Sequence, residues 1–229
     1  MIICTSIAPK HIVDNAQLNA VNSWVNYDVY SFNSKEEISA LKSIYPTVNF
    51  IECHTLENVY GKQYASIDFI FDWFKKSGHD KMLLINSDII LFDAAELERV
   101  ARYSNKGLVF FNRYDMPNSQ RYEYGFDAFI IDKDFAHLMP KNIYSLGNCH
   151  FDYHIPFSYI EKNFSIFRTQ KKVFEHIAHP VQYGNEKWLK TGRHMQWLCE
   201  LWKYKNDAHG IGQMSEFIRQ RILYKTQWI

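Results

Sequence analysis

Asn86, Ser87 and Asp88 break an otherwise apolar run in the stretch KMLLINSDIILF (81–92). A carboxylate placed there has two uses. It can cap a turn in which Asn86 and Ser87 are turn residues, or it can hold a divalent cation against the two phosphates of a nucleotide diphosphate. Groups of matching chemistry recur where other apolar runs end. Thr5, Ser6 and Ile7 in CTSIAP offer hydroxyls and backbone groups suited to a base and ribose. Lys62, after Gly61 in YGKQYAS, and Arg113, after GLVFFN, are cations suited to a diphosphate; the plainer reading of each is a solvated surface charge. His176 and His179, with two residues between them and Pro180 behind, have the spacing of a turn that aims imidazole at a metal or a diphosphate.

The elements that must carry these residues alternate. Apolar strands are expected at 2–7, 27–32, 48–53 and 81–86, and helices at 14–25, 34–45 and 64–78. Asp14 is placed as a cap, Ser34 and Glu37 fit a capping box, and Gly78 fits a helix C-cap. Such alternation implies an α/β fold with a Rossmann-type, mostly parallel sheet flanked by helices. In an open sheet of this kind ligands bind outside the carboxyl ends of the strands, the edge at which Asp88, CTSIAP and Arg113 fall. The second half reads as a helix at 94–104, a strand at 107–112, a polar loop at 114–125 and a strand at 126–132. A short helix at 134–139, a helix near 152–162 and strands near 164–168 and 173–178 follow, then helical patterns at 186–204 and from 215 onward. No repeat or linker interrupts the 229 residues, so one domain is expected, with a binding half at 1–113 and a second half at 114–229.

Composition narrows the partners. A formal net charge of +1, with acids and bases nearly equal, gives no sign of a nucleic-acid face or an acidic tail. Aromatics reach 17%, which serves either a Tyr- and Phe-rich core or flat faces for stacking on sugar rings. Cys4, Cys53, Cys149 and Cys199 form no zinc spacing and read as free thiols of a reducing compartment. The start MIICTSIAP lacks the form of a signal peptide, and no run approaches a membrane span, so a cytoplasmic protein is expected.

In order along residues 1–185, several segments resemble the GT-A-fold glycosyltransferases of bacterial and viral type. CTSIAP, YGKQYASIDFIFDWF and LLINSDIIL resemble their nucleotide-sugar-binding half, in which an acidic D-x-D signature holds Mn²⁺ or Mg²⁺ against the donor diphosphate. Here the first acid is Asn86; Asp88 matches the member that usually touches the metal. YGFDAFIID resembles an acceptor-side strand. GNCHFDYHIPFSYIEKNFSIF matches a G-x-P-x-W-D-Y-W-x-P pattern at Gly147, Phe151, Asp152, Tyr153 and Pro156, with Cys149 in place of Pro and His154 in place of Trp. FEHIAHPVQYG resembles the segment whose histidines close the metal site, here His176 and His179.

The resemblance implies metal-dependent transfer of a sugar from a nucleotide diphosphate-sugar donor to a hydroxyl of a glycan or other acceptor. Such transfer passes through an oxocarbenium-like state while the acceptor hydroxyl loses its proton. Asp152, between Phe151 and Tyr153, suits the base of an inverting reaction, and equally the N-cap of the helix that follows. Asp127, Phe151 and Tyr153 are acceptor-side candidates, although Asp127 can equally pair with Arg113 or Arg121. Competing readings are a sugar-phosphate nucleotidyltransferase, disfavoured because TSIAPKHIVD has no glycine for a phosphate loop, and a non-catalytic glycan- or nucleotide-binding relative. The terminal SEFIRQRILYK has an apolar side for packing on the domain, or for a peripheral contact with an anionic membrane.

Overall fold

The computed structural model describes residues 1–11, 15–54, 56–59, 62–138, 145–147, 150–179, 199–200, 202–205 and 207–229, with side chains left aside at 56–59, 62 and 208. Its centre is an eight-stranded sheet. The first half supplies β1 (Ile2–Thr5), β2 (Val29–Asn33), β3 (Asn49–Glu52) and β6 (Lys81–Ile85). The second half supplies β8 (Gly107–Phe111), β11 (Ala128–Asp132), β12 (Ser165–Arg168) and β14 (Thr226–Trp228). The order is β14-β12-β8-β11-β6-β1-β2-β3, and every pairing is parallel except those of β11 with β6 and β8. The mostly parallel α/β architecture expected from the alternation is therefore the one observed.

Burial on both faces explains the continuous apolar strands. Along β6, Met82 and Leu84 join one core cluster and Leu83 and Ile85 the other, and all four are fully buried. One face is covered by α3 (Ile67–Lys76) through Ile67, Ile70, Phe71 and Phe74, and by α5 (Phe151–Glu161) packed on α6 (Ala208–Lys225). The other face holds α1 (Ala16–Ser23), through Ala20 and Val21, and α4 (Ala94–Ala101), through Leu97 and Val100. Burying a Val, Leu, Ile or Phe side chain of this kind contributes about 1.5–3 kcal/mol. Around α2 (Lys35–Leu41) the capping box forms as expected: Glu37 N–H donates to Ser34 Oγ, and Ser34 N–H to Glu37 Oε2.

Several boundaries differ from those expected. β1 stops at Thr5 because the Ile7 N–H turns to Ser31 Oγ instead of a ladder partner. The helix α1 starts at Ala16 after Asn15 in a left-handed conformation, and Asp14 lies outside the described residues. Tyr64 and Ala65 belong not to a helix but to β5 (Lys62–Ala65), a hairpin with β4 (Leu56–Val59), so α3 begins only after Ser66. Lys62 thus lies on a strand rather than in a loop feeding the helix. The expected loop at 114–125 contains β9 (Arg113–Met116) and β10 (Gln120–Arg121), paired antiparallel. With β7 (Ile89–Leu91) and β13 (Phe174–Ile177) they form a second sheet, ordered β10-β9-β13-β7. Residues 133–138 form 3₁₀ turns.

The helical pattern at 186–204 lies almost wholly outside the described residues. The terminal segment is not helical to its end: Thr226–Trp228 leave α6 to pair with β12. The apolar side of α6, with Met214, Ile218 and Ile222 buried, packs on the core. Among the described residues no helix is long and apolar enough to cross a membrane.

Candidate functional site

The second sheet explains how Asp88 acquires its neighbours. Asp88 closes the turn between β6 and β7, and β7 pairs with β13 so that His176 faces Ile89. β13 also pairs with β9, which sets His176 opposite Asp115. In consequence His176 Nε2 stands 3.5 Å from Asp88 Oδ2, while its Nδ1 lies 2.9 Å from Asp115 Oδ1. His179 Nε2 approaches the same Asp88 oxygen at 3.5 Å, and His11 Nε2, from the loop after β1, at 3.1 Å. Burial by itself would raise the Asp88 carboxyl, but hydrogen bonds from His11, His176 and His179 hold it well below the usual carboxylate range.

One ligand atom each from His11, Asp88 and His179 lie within 4.8 Å of one another. A carboxylate ringed by imidazoles, one of them oriented through its other nitrogen by a carboxylate, is a donor set that could hold a divalent cation. The residues therefore fit the metal that the resemblance implies. His11 escaped the sequence reading because it matches no ligand motif and its one acidic neighbour in APKHIVD, Asp14, reads as a helix cap; only the fold carries His11 to Asp88.

Asn86 and Ser87 share the turn with Asp88 but point elsewhere. Asn86 Nδ2 donates to Asp127 Oδ1 at 3.0 Å, and Ser87 Oγ meets the Gln17 side-chain amide of α1 at 2.6 Å.

Thr5, Ser6 and Ile7 sit at the correct strand end yet face inward. Thr5 is fully buried, with no hydrogen-bond partner for Oγ1 among the described residues, and Ser6 Oγ donates to the Phe32 carbonyl. The buried Ile7 has its N–H on Ser31 and its carbonyl on Asn33 Nδ2. Their hydroxyls and amide shape the edge rather than offer themselves to a ribose.

Arg113 corrects two readings, for it is neither solvated nor a spare cation. It donates from Nε to Asp115 Oδ1 at 2.9 Å and from Nη1 to both Asp127 oxygens at 3.0 and 3.1 Å. Its guanidinium carbon also stacks 4.1 Å from the Tyr122 ring centre. Of the two arginines that could pair with Asp127, Arg113 is thus the one that does. The side chain of Lys62 lies outside the described residues.

Asp152 occupies the first turn of α5, one residue inside the helix, so it is not the N-cap; that position is His150, in a left-handed conformation. Its Oδ2 accepts the Phe126 N–H at 3.2 Å. The absence of a side chain at Gly125 makes room: a Cβ there would meet Asp152 Oδ2 at 2.9 Å. Burial, then the charge of Asp127, push the carboxyl up to about 7, against backbone N–H groups of Phe126, Asp152 and Tyr153 that pull it down.

Because Ala128 pairs with Ile85 and with Phe111, the Phe126–Asp127 segment stands at the carboxyl ends of β6 and β8. Asp152, Asp127, Arg113, Asn86 and Asp88 thereby share one edge. Phe151 and Tyr153 do not present faces to it. They are 5% and 8% exposed, Phe151 packed edge-on against Phe129 and Tyr153 donating from Oη to the Tyr124 carbonyl. The exposed aromatic there is Tyr124, 68% accessible, with Arg219 beside its ring.

No family model and no curated protein matches the chain. Its fold is similar to that of TarS residues 1–349 from S. aureus in complex with UDP-GlcNAc, at a TM-score of 0.56 and 9% identity, over 86% of this chain and 64% of that one. A second structure of S. aureus TarS residues 1–349 gives a TM-score of 0.52 at 10% identity, over 86% of this chain and 63% of that one. The chain spans less than two thirds of the length of these structures, and the likeness is one of fold.

Proposed function

We propose that this chain transfers a sugar from a nucleotide diphosphate-sugar to a hydroxyl of a glycan or other acceptor, with a divalent metal and with inversion at the anomeric carbon. One observation carries the reading: a histidine-ringed carboxylate, Asp88, and a near-neutral carboxylate, Asp152, share one edge of a mostly parallel sheet. The fold likeness to a protein solved with UDP-GlcNAc supports a nucleotide-sugar donor.

Asp88, His176 and His179 are the residues that would hold Mn²⁺ or Mg²⁺ here, and the ion's chemistry is to neutralise the donor diphosphate. Asp152 removes the proton from the acceptor hydroxyl as that oxygen attacks the anomeric carbon. The bond to the diphosphate breaks on the opposite side, and the configuration inverts. A carboxyl tuned to about 7 is a stronger base than an ordinary aspartate and is about half ionised at pH 7. Arg113 holds Asp127 and Asp115 in place, and Asp127 in turn holds Asn86 in the turn before Asp88. A near-neutral carboxylate on the same edge as the candidate metal ligands favours catalysis over a protein that only binds glycans or nucleotides.

The test is UDP binding by calorimetry with and without Mn²⁺. Wild type should bind in a metal-dependent manner; Asp88→Asn, checked as folded by circular dichroism because it loses the pairing with His11, His176 and His179, should lose the metal-dependent part. Unchanged metal-dependent affinity in that variant would sink the assignment.

A further inference from the structure

Resting on the metal-dependent reading above, we infer that His11 is a direct metal ligand standing in for the acid that Asn86 lacks, and that this nitrogen-rich site selects transition ions over Mg²⁺. Three observations carry the inference.

The first is the position of Asn86. Its amide donates to Asp127 Oδ1 and its backbone N–H to the Asp127 carbonyl, at 3.0 and 3.2 Å, so the residue is committed to the β11 side of the turn. A carboxamide also brings no charge to offset a cation. One negative ligand, Asp88, is left in the turn.

The second is the placement of His11. Its Nε2 is the imidazole nitrogen nearest to Asp88 Oδ2, at 3.1 Å against 3.5 Å for both His176 and His179. Its ring stands edge-on to that of His179 with centres 5.4 Å apart, so the two imidazoles adjoin without stacking. His11, Asp88 and His179 come from three separate segments of the chain, yet their ligand atoms fit within 4.8 Å. Such convergence from distant loops is what a chelating site requires.

The third is the kind of atom supplied. His176, oriented by Asp115, adds a further imidazole beside the same carboxylate. Mg²⁺ takes oxygen ligands in near-ideal octahedral geometry and parts with water reluctantly. Imidazole favours the borderline ions, with affinity rising from Mn²⁺ through Fe²⁺ to Co²⁺. A site with one carboxylate and two or three imidazoles should therefore rank Co²⁺ above Mn²⁺ and Mn²⁺ above Mg²⁺. The alternative is that His11 only donates a hydrogen bond to Asp88 and never meets the ion.

Calorimetric titration of the full chain with Co²⁺, Mn²⁺ and Mg²⁺ alone, with the visible absorption of bound Co²⁺ as a report on its ligands, separates the two. The expected result is the ranking just given, with Mg²⁺ weaker than Mn²⁺ by at least about tenfold. His11→Ala should weaken Co²⁺ by roughly 10- to 100-fold, as loss of a ligand or of its immediate support does, and should shift the Co²⁺ spectrum. His11→Gln, which keeps the bulk, serves as a second variant should the alanine form fold poorly, and should shift the spectrum likewise. A His11 variant with wild-type Co²⁺ affinity and spectrum overturns the inference, as does Mg²⁺ binding as tightly as Mn²⁺. UDP titration keeps the two readings apart. If UDP binding needs a metal and Asp88 but is indifferent to His11, only this inference falls. If UDP binds equally well without metal, the metal-dependent reading falls with it.

Discussion

Asp152→Asn is the perturbation that separates catalysis from architecture at this site. The side chain keeps its shape, and its oxygen can still accept the Phe126 N–H that Asp152 accepts at 3.2 Å. What it loses is the ability to take a proton. With the Asp152 carboxyl raised from 3.8 to about 7, roughly one molecule in ten is ionised at pH 6 and roughly nine in ten at pH 8. Wild-type transfer should therefore rise roughly tenfold over that interval, whereas the variant should lose at least about a hundredfold at pH 8 and show little of the rise.

Stability provides an independent check with a definite sign. A carboxyl whose folded value lies above its unfolded one favours the fold while protonated, and that contribution is lost as pH rises from about 4 to about 7. The asparagine never ionises, so at pH 8 the variant should be the more stable form, while at low pH the two converge. The difference at pH 8 is on the order of 4 kcal/mol, the free-energy equivalent of raising a carboxyl from 3.8 to about 7. Release of nucleotide diphosphate across pH, and urea melts at pH 4 and pH 8, make both measurements. Imidazoles titrate in the same range, so it is the difference between the proteins that decides. If the variant transfers sugar at near wild-type rate, or keeps the wild-type pH rise, Asp152 is not the base; an acceptor linkage that retains the donor's anomeric configuration by NMR refutes the inverting mechanism.

Two further outcomes follow from the same edge and its surroundings. Asp127→Ala leaves the half-buried Arg113 guanidinium and the Asn86 amide without their shared acceptor, and should cost about 3–5 kcal/mol in a denaturant melt; a loss under about 1 kcal/mol would show that Asp115 alone sustains Arg113. Arg168 is 2% exposed, with Nε and Nη1 lacking partners among the described residues, and burial draws its guanidinium down to about 10. Arg168→Met should thus be neutral or stabilising by up to a few kcal/mol, read as an unchanged or raised urea midpoint. A clear destabilisation would mean that its stacking on Trp228, 4.3 Å away, outweighs the buried charge.

The local rules were legible in the sequence. The two-faced apolar strands around 2–5 and 81–85, the helix of Ile67, Ile70, Phe71 and Phe74, and the capping box at Ser34 all follow from periodicity and hydrogen-bonding chemistry within a few residues. So did the placement of Asp88 at a strand end, because an apolar run interrupted by polar residues marks where a strand leaves the core. What sequence could not reveal were facts of pairing. The β9–β10 hairpin carries little apolar periodicity, and β7, though apolar, is only three residues long. Yet the register of the second sheet is what sets His176 against both Asp88 and Asp115. Burial likewise removed Phe151 and Tyr153 from the acceptor face, and ion pairing took Arg113 from the diphosphate, because a side chain's exposure depends on what the rest of the chain lays over it. His11 shows the difference most simply: an isolated histidine in a polar loop has no local signal, and it becomes a candidate ligand only when the fold closes 77 positions of chain to set it 3.1 Å from Asp88.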